Sequence, residues 1–162
     1  MEKSRLMLGL KLVASIVLCQ FVGLVGSIFT TPQVGNWYAF LTKPAFAPPN
    51  WIFAPVWTFL FLTMGVSLFL ILINNDHKKD SSQALAWFVI QLVLNMAWSA
   101  VFFTLHSPLG GIFVIVALFI AILMTILKSL KISEPAGILL LPYLLWVGFA
   151  SILNIAIFIL NK

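Results

Sequence analysis

The chain has 162 residues, 62% of them hydrophobic and only 8% charged, with a mean hydropathy of +1.14. A soluble domain carries charge on roughly a quarter of its residues, and a disordered one needs low hydrophobicity, so both classes are excluded. The length fits one domain, and the net charge of +5 is spread too thinly to form a nucleic-acid-binding surface.

The few charges divide the chain. Residues 12–42, 44–75, 81–127 and 135–161 contain no Asp, Glu, Lys or Arg. A membrane-spanning helix needs about 20 apolar residues, so three of these stretches hold one span each. The long third stretch holds two, because His106-Ser107-Pro108-Leu109-Gly110-Gly111 breaks it near its middle. Five spans are predicted, at 7–29, 51–74, 83–105, 109–128 and 136–160. Barrel strands would alternate in polarity, whereas Val66–Ile73 and Ile112–Leu123 are almost continuously apolar. Lipid offers the backbone no hydrogen-bond partner, which also favours helices. The fold class is all-α integral membrane, a single five-helix domain with an aromatic, proline-rich loop after the first helix.

The first span runs too far past a charged start, with no small-residue cleavage site, to read as a removed signal peptide. Its Ser15, Cys19, Gly23 and Ser27 recur every four residues, a small-residue stripe suited to close helix packing. Ser27, near the surface, also suits a pocket wall. Cys19 is the sole cysteine, so an internal disulfide is excluded.

The segment 30–50 is expected to be a lid. Pro44, Pro48, Pro49 and Pro55 stiffen it and its junction with the second span, while Trp37, Tyr38, Phe40, Phe46, Trp51, Phe53 and Trp57 supply apolar bulk that water would not tolerate. In the third span Trp87, Gln91, Asn95, Trp98 and Phe102 share one face. In the fifth, Tyr143, Trp146, Ala150 and Asn154 do the same. Buried amides need partners, so these two faces are expected either to wall one cavity from opposite sides or to hydrogen-bond between helices. Trp87 is read as an interfacial anchor. The fourth span repeats the small-residue stripe at Ala117, Ala121 and Thr125, making the first and fourth spans candidate dimer surfaces.

Basic residues set the orientation. Lys3, Arg5, Lys11, Lys78, Lys79, Lys128 and Lys131 fall on one side, and only Lys43 and Lys162 on the other. The positive-inside rule therefore predicts a cytoplasmic N-terminus, with the 30–50 loop and the C-terminus outside. No span interior holds an ionisable Asp, Glu, Lys, Arg or His, which argues against an ion-coupled transporter. His77 and His106 are assigned to turns. No nucleophile–base pair, metal-ligand spacing or phosphate loop is visible.

Three motifs carry a resemblance. Trp37, Tyr38, Leu41, Lys43, Pro44, Pro48, Pro49, Trp51, Pro55 and Trp57, in that spacing, resemble the first-loop signature of the translocator protein family. This family is also called tryptophan-rich sensory protein or peripheral benzodiazepine receptor. Gln91, Asn95, Trp98, Phe102 and Phe103 resemble its third-helix motif, and Pro142, Tyr143, Leu144, Trp146, Phe149, Ala150, Leu153 and Asn154 its fifth.

The resemblance implies a five-helix bundle, commonly a homodimer, in a bacterial or mitochondrial outer membrane or the bacterial cell membrane, the last being expected here. It implies binding of tetrapyrroles such as protoporphyrin IX, and of isoquinoline-carboxamide and benzodiazepine-type ligands, under the first loop. The implied pocket is lined by Ser27, Trp51, Phe53, Ala54, Asn95, Gly110, Trp146, Ala150 and Leu153. Gln91 and Trp98 join it from the third-span face. Some relatives degrade protoporphyrin in light, which makes Trp51 and Trp146 the candidate catalytic residues.

Departures from the family pattern are Phe46 and Met96, where members often carry tryptophan, Gly110, where animal members carry one, and Ile155–Leu160, which lacks the Tyr and Arg of the animal cholesterol motif. A flat macrocycle suits indole stacking, and no His or Cys is placed to ligate iron, so metal-free porphyrin is expected over haem, with Lys43 near its carboxylates. No cofactor is required. The functional readings, in order, are porphyrin-binding sensor, light-dependent degrading enzyme and porphyrin transporter.

Overall fold

In a computed structural model, residues 2–74 and 78–162 are described. The predicted Asp76–His77 turn lies outside the described residues, as do the side chains of Lys78 and Lys79. The described chain is all-helical. Helix α1 covers Glu2–Val34 and α2 Trp37–Phe40; a 3-10 turn at Asn50–Ile52 leads into α3, Phe53–Ile73. Helix α4, Lys78–Ser99, continues as a π-helical turn, Ala100–Thr104; α5 is Pro108–Leu130, α6 Glu134–Ile138 and α7 Leu141–Leu160. Five stretches are long and apolar enough to cross a membrane: Ser4–Val34, Asn50–Ile73, Asp80–Thr104, Pro108–Leu130 and Glu134–Leu160.

Local chemistry explains the boundaries. The Ser107 side chain caps α5 by accepting a hydrogen bond from the Gly110 amide at 3.1 Å, and Pro108 stands just inside, where its missing N–H costs nothing. His106 makes the turn with φ 50°. The third span ends in wider π turns, with the Leu105 amide bonded to the Ala100 carbonyl at 3.0 Å.

Two expected spans differ from the predicted ones. The first runs on to Val34 instead of stopping near residue 29, because Pro32 falls in its last turn, and the Asn36 side chain bonds the Pro32 carbonyl at 2.7 Å. The fifth is two helices. Pro142 breaks it at Leu139–Leu140, and α6 folds tightly on the end of α5, where a Cβ at Gly137 would meet Leu130 at 2.5 Å.

Helix α5 packs between α4 and α7, and α1 packs against α3 and the third span. The closest approach is at Gly65, where an added Cβ would lie 2.6 Å from the Ile16 Cα. One turn along α3, Phe61 lies over Gly23. The small-residue stripe of α1 is thus used inside the chain in part, with Ser15 and Cys19 buried, Gly23 half-buried and Ser27 exposed. So is most of the α5 stripe, since Ala121 and Thr125 are buried and only Ala117 is exposed. Ser27 and Ala117 are the members of the two stripes that stay on the surface.

The 30–50 segment lies over one end of the bundle, called the loop end below. Trp37 stacks on His106 at 4.6 Å, and His106 Nε2 lies 3.0 Å from Gln33 Oε1. Tyr38 is buried against Phe102 and Phe103. Burial pushes its phenol above the usual range, so it stays protonated at neutral pH. Asn161 clasps Thr42 through two bonds of 2.9 Å, donating to its carbonyl and accepting from its amide. Asn161→Ala is expected to speed amide exchange across residues 42–47 at least tenfold while costing about 1 kcal/mol of global stability. Hydrogen exchange by mass spectrometry checks this, and an unchanged loop would mean the clasp is idle.

Candidate functional site

Between α1, α3 and α4 lies a cavity of about 530 Å³. Helices α1 and α3 touch at Ile16–Gly65 and Gly23–Phe61, and Gln20 Nε2 still donates to the Thr58 carbonyl at 3.0 Å. Farther toward the loop end they no longer meet, and the cavity fills the gap. Glycine makes the room: a Cβ at Gly26 would meet only Ser99 Oγ, at 3.8 Å.

Five aromatic side chains supply most of the bulk of its walls. Phe53, Trp57 and Phe61 come from α3, and Trp98 and Phe103 from the third span. The polar lining is uncharged: Gln20, Ser27, Thr30 and Thr31 on α1, Asn50 and Thr58 around α3, Asn95 and Ser99 on α4. Much of that polarity is already engaged. Ser27 and Thr30 donate to the Leu24 and Gly26 carbonyls at 2.7 and 3.2 Å, and Thr58 to that of Ala54 at 2.9 Å. The wall therefore presents a low-polarity, charge-free surface.

The amide–indole faces do not look at each other across a hollow; they are zipped together. Asn95 Nδ2 donates to Tyr143 Oη at 2.9 Å. Trp98 Nε1 donates to Asn154 Oδ1 at 3.1 Å, while Asn154 Nδ2 reaches the Pro108 carbonyl at 2.8 Å. This corrects the first of the two sequence alternatives and realises the second. The Trp98 ring and the Asn95 carboxamide are held by α7 and form the cavity's far wall.

Of the residues expected to line a pocket, Ser27, Phe53, Ala54, Asn95 and Trp98 are brought together in this cavity. Ala150 and Leu153 line a smaller void of about 30 Å³, which shares Thr30, Val34, Phe53, Trp98 and Phe103 with the larger one. Trp146 stands behind Phe53, edge-on at 6.0 Å, with its buried Nε1 unpartnered. Trp51 is 72% exposed and outside the wall. Gln91 is buried toward α3, its Nε2 3.9 Å from Met64 Sδ. Gly110 packs on Val101 and Ser107 at the start of α5. Lys43 is also elsewhere, with Nζ 3.3 Å from the Ala39 and Leu41 carbonyls and 4.8 Å over the Tyr38 ring.

Trp57, Phe61, Gln20 and Thr58 were not anticipated as lining. The signal was present. Asn50, Ala54 and Thr58 step by four, as do Trp57 and Phe61, and Gln20 is a polar residue at membrane depth that needed a partner.

The TspO/MBR family profile matches residues 15–160. The chain belongs to this family. It is 46% identical over 152 residues to a tryptophan-rich protein TspO of Chlorobaculum tepidum, covering 94% of this chain and 96% of the relative. It is 48% identical to the TspO of Archaeoglobus fulgidus, covering 94% and 97%. It is 36% identical over 134 residues to the translocator protein of sheep, Ovis aries, covering 82% and 79%. With its five apolar spans, this TspO/MBR member is an integral membrane protein of the sensor/translocator type.

Proposed function

We propose that this protein is a membrane receptor for a flat, apolar tetrapyrrole, protoporphyrin IX or a close relative, held between α1, α3 and α4. The observation that carries the reading is the charge-free aromatic cavity. Its volume falls within the range of about 300–1,000 Å³ usual for small-molecule pockets. Trp57 and Trp98 offer indole surface to a macrocycle, and Thr30, Thr31 and Asn50 gather its polar edge at the loop end. Isoquinoline-carboxamide and benzodiazepine-type ligands, flat and apolar with one or two hydrogen-bond acceptors, should compete for the same space. The setting is a bacterial-type cell membrane with the N-terminus cytoplasmic, as the distribution of basic residues argues. A homodimer is expected, with the exposed faces of the first and fourth spans as candidate surfaces.

Titrating the detergent-solubilised protein with protoporphyrin IX should give saturable quenching of tryptophan fluorescence. Trp57→Ala should weaken binding about tenfold, roughly 1.4 kcal/mol. Non-saturable quenching, or equal affinity in that variant, would remove the site.

A second reading, light-driven degradation of the porphyrin, is favoured by the indoles on the wall and by Trp146 one ring behind it. An excited porphyrin and dioxygen would supply the oxidation, and the protein would hold the ring in place. Illumination of the complex in air should then give a discrete product spectrum. Bleaching indistinguishable from that of free porphyrin would leave binding alone.

A further inference from the structure

We propose that the cavity is filled from the side, by a guest already dissolved in the bilayer, through a cleft between α1 and α3 in the half of the membrane nearest the loop. The inference rests on reading the cavity as a guest site and adds the route by which the guest arrives.

Two groups of observations carry it. The 30–50 segment is pinned, and the exposed lining at that end is Gly35 and Asn50. Trp37 on His106, Tyr38 on Phe102 and Phe103, and the double Thr42–Asn161 clasp close the 30–50 segment down on α5, α7 and the end of the third span. The flank is open. Leu24, Ser27 and Thr31 on α1, and Ala54 and Thr58 on α3, line the cavity and are exposed, Leu24 by 65%, which marks this flank as a side on which the cavity opens.

The opening is bounded at its base. Gln20 bonds the Thr58 carbonyl and Gly23 meets Phe61 at the same level, and farther from the loop Ile16–Gly65 holds the helices in contact. The cleft is therefore a wedge that widens toward the loop. Its sides carry Ser27, Thr31 and Thr58 where lipid contact alone would favour apolar residues, as at Val17, Phe21 and Ile28 on α1. An amphiphile with a flat apolar body and polar substituents matches that surface and partitions into the same layer of the bilayer. Such a guest is concentrated in lipid before it meets the protein, so uptake follows its mole fraction in the membrane.

The test uses the full chain in lipid nanodiscs and protoporphyrin IX as probe. At fixed total porphyrin and protein, raising the lipid amount should dilute the probe in the bilayer and slow tryptophan quenching in proportion. Leu24→Trp, which narrows the cleft, should slow association at least fivefold, whereas Asn161→Ala, which frees the loop, should change it less than twofold. Acceleration by Asn161→Ala, with no effect of Leu24→Trp, would place the route at the loop and overturn the proposal. Lipids brominated along the acyl chain provide an arm that needs no guest. They should quench a component of fluorescence that is lost in Trp57→Phe, and its absence would mean that acyl chains do not reach the cavity. If the wild type shows that component but does not bind porphyrin, the cleft stands and the tetrapyrrole reading falls.

Discussion

Gly26→Phe should abolish porphyrin binding, lowering affinity at least a hundredfold, while the bundle stays folded. Gly26 is buried, yet a Cβ there would meet nothing closer than Ser99 Oγ at 3.8 Å, an ordinary contact. A larger side chain therefore extends into the cavity and not into a neighbour. Glycine inside a helix costs about 1 kcal/mol relative to alanine, so the backbone of α1 gains from the change. A hundredfold loss corresponds to roughly 2.7 kcal/mol of binding free energy. Fluorescence titration and thermal melting in the same detergent separate the two effects. Retained affinity in a folded Gly26→Phe protein would mean that the guest sits elsewhere. Gly23→Ala is the contrasting change, because its Cβ would strike the Phe61 ring at 2.5 Å and force that ring to turn.

Gly65→Leu should lower the melting temperature by about 5–10 °C. The obstacle here is main chain: a Cβ at Gly65 would come within 2.6 Å of the Ile16 Cα and 3.1 Å of its nitrogen. Rotamer change cannot relieve a clash with backbone, so α1 must move away from α3. Overpacking of this kind costs roughly 1–3 kcal/mol, and for a chain of this length each kcal/mol shifts the midpoint about 2–4 °C. An unaltered melting temperature would show that the two helices are not held at that crossing. Because α1 and α3 are the two sides of the cavity, the same variant should also bind porphyrin less tightly.

The number and order of the spans were legible because charge and hydropathy are properties of single residues and need no knowledge of neighbours. The ends were less so. Pro32 would ordinarily stop α1, but it sits where the helix was about to end, and its effect depends on the next turn. The Pro142 break depends on α6 folding against Leu130, a contact across sequence. The amide–indole faces were visible by spacing, yet spacing alone could not decide between facing a hollow and bonding to each other. Asn95 and Tyr143 settle that by a 2.9 Å hydrogen bond. Trp57 and Phe61 escaped notice because aromatic residues in an apolar helix look alike until their neighbours are known. Trp51, prominent in the motif, projects 72% of its surface outward, since the short 3-10 turn after Pro49 directs it away from the helices.

Helix α1 has the smallest buried share of the five spans, 17% against 33–44% for the others, and its partners are α3 and the third span. Its larger contact is with α3, the next span in the chain, so it gains a docking surface as soon as that helix is in place. Until then Gln20, whose partner is the Thr58 carbonyl of α3, has nothing to bond in hydrocarbon, so the helix that follows completes the burial of the one before it.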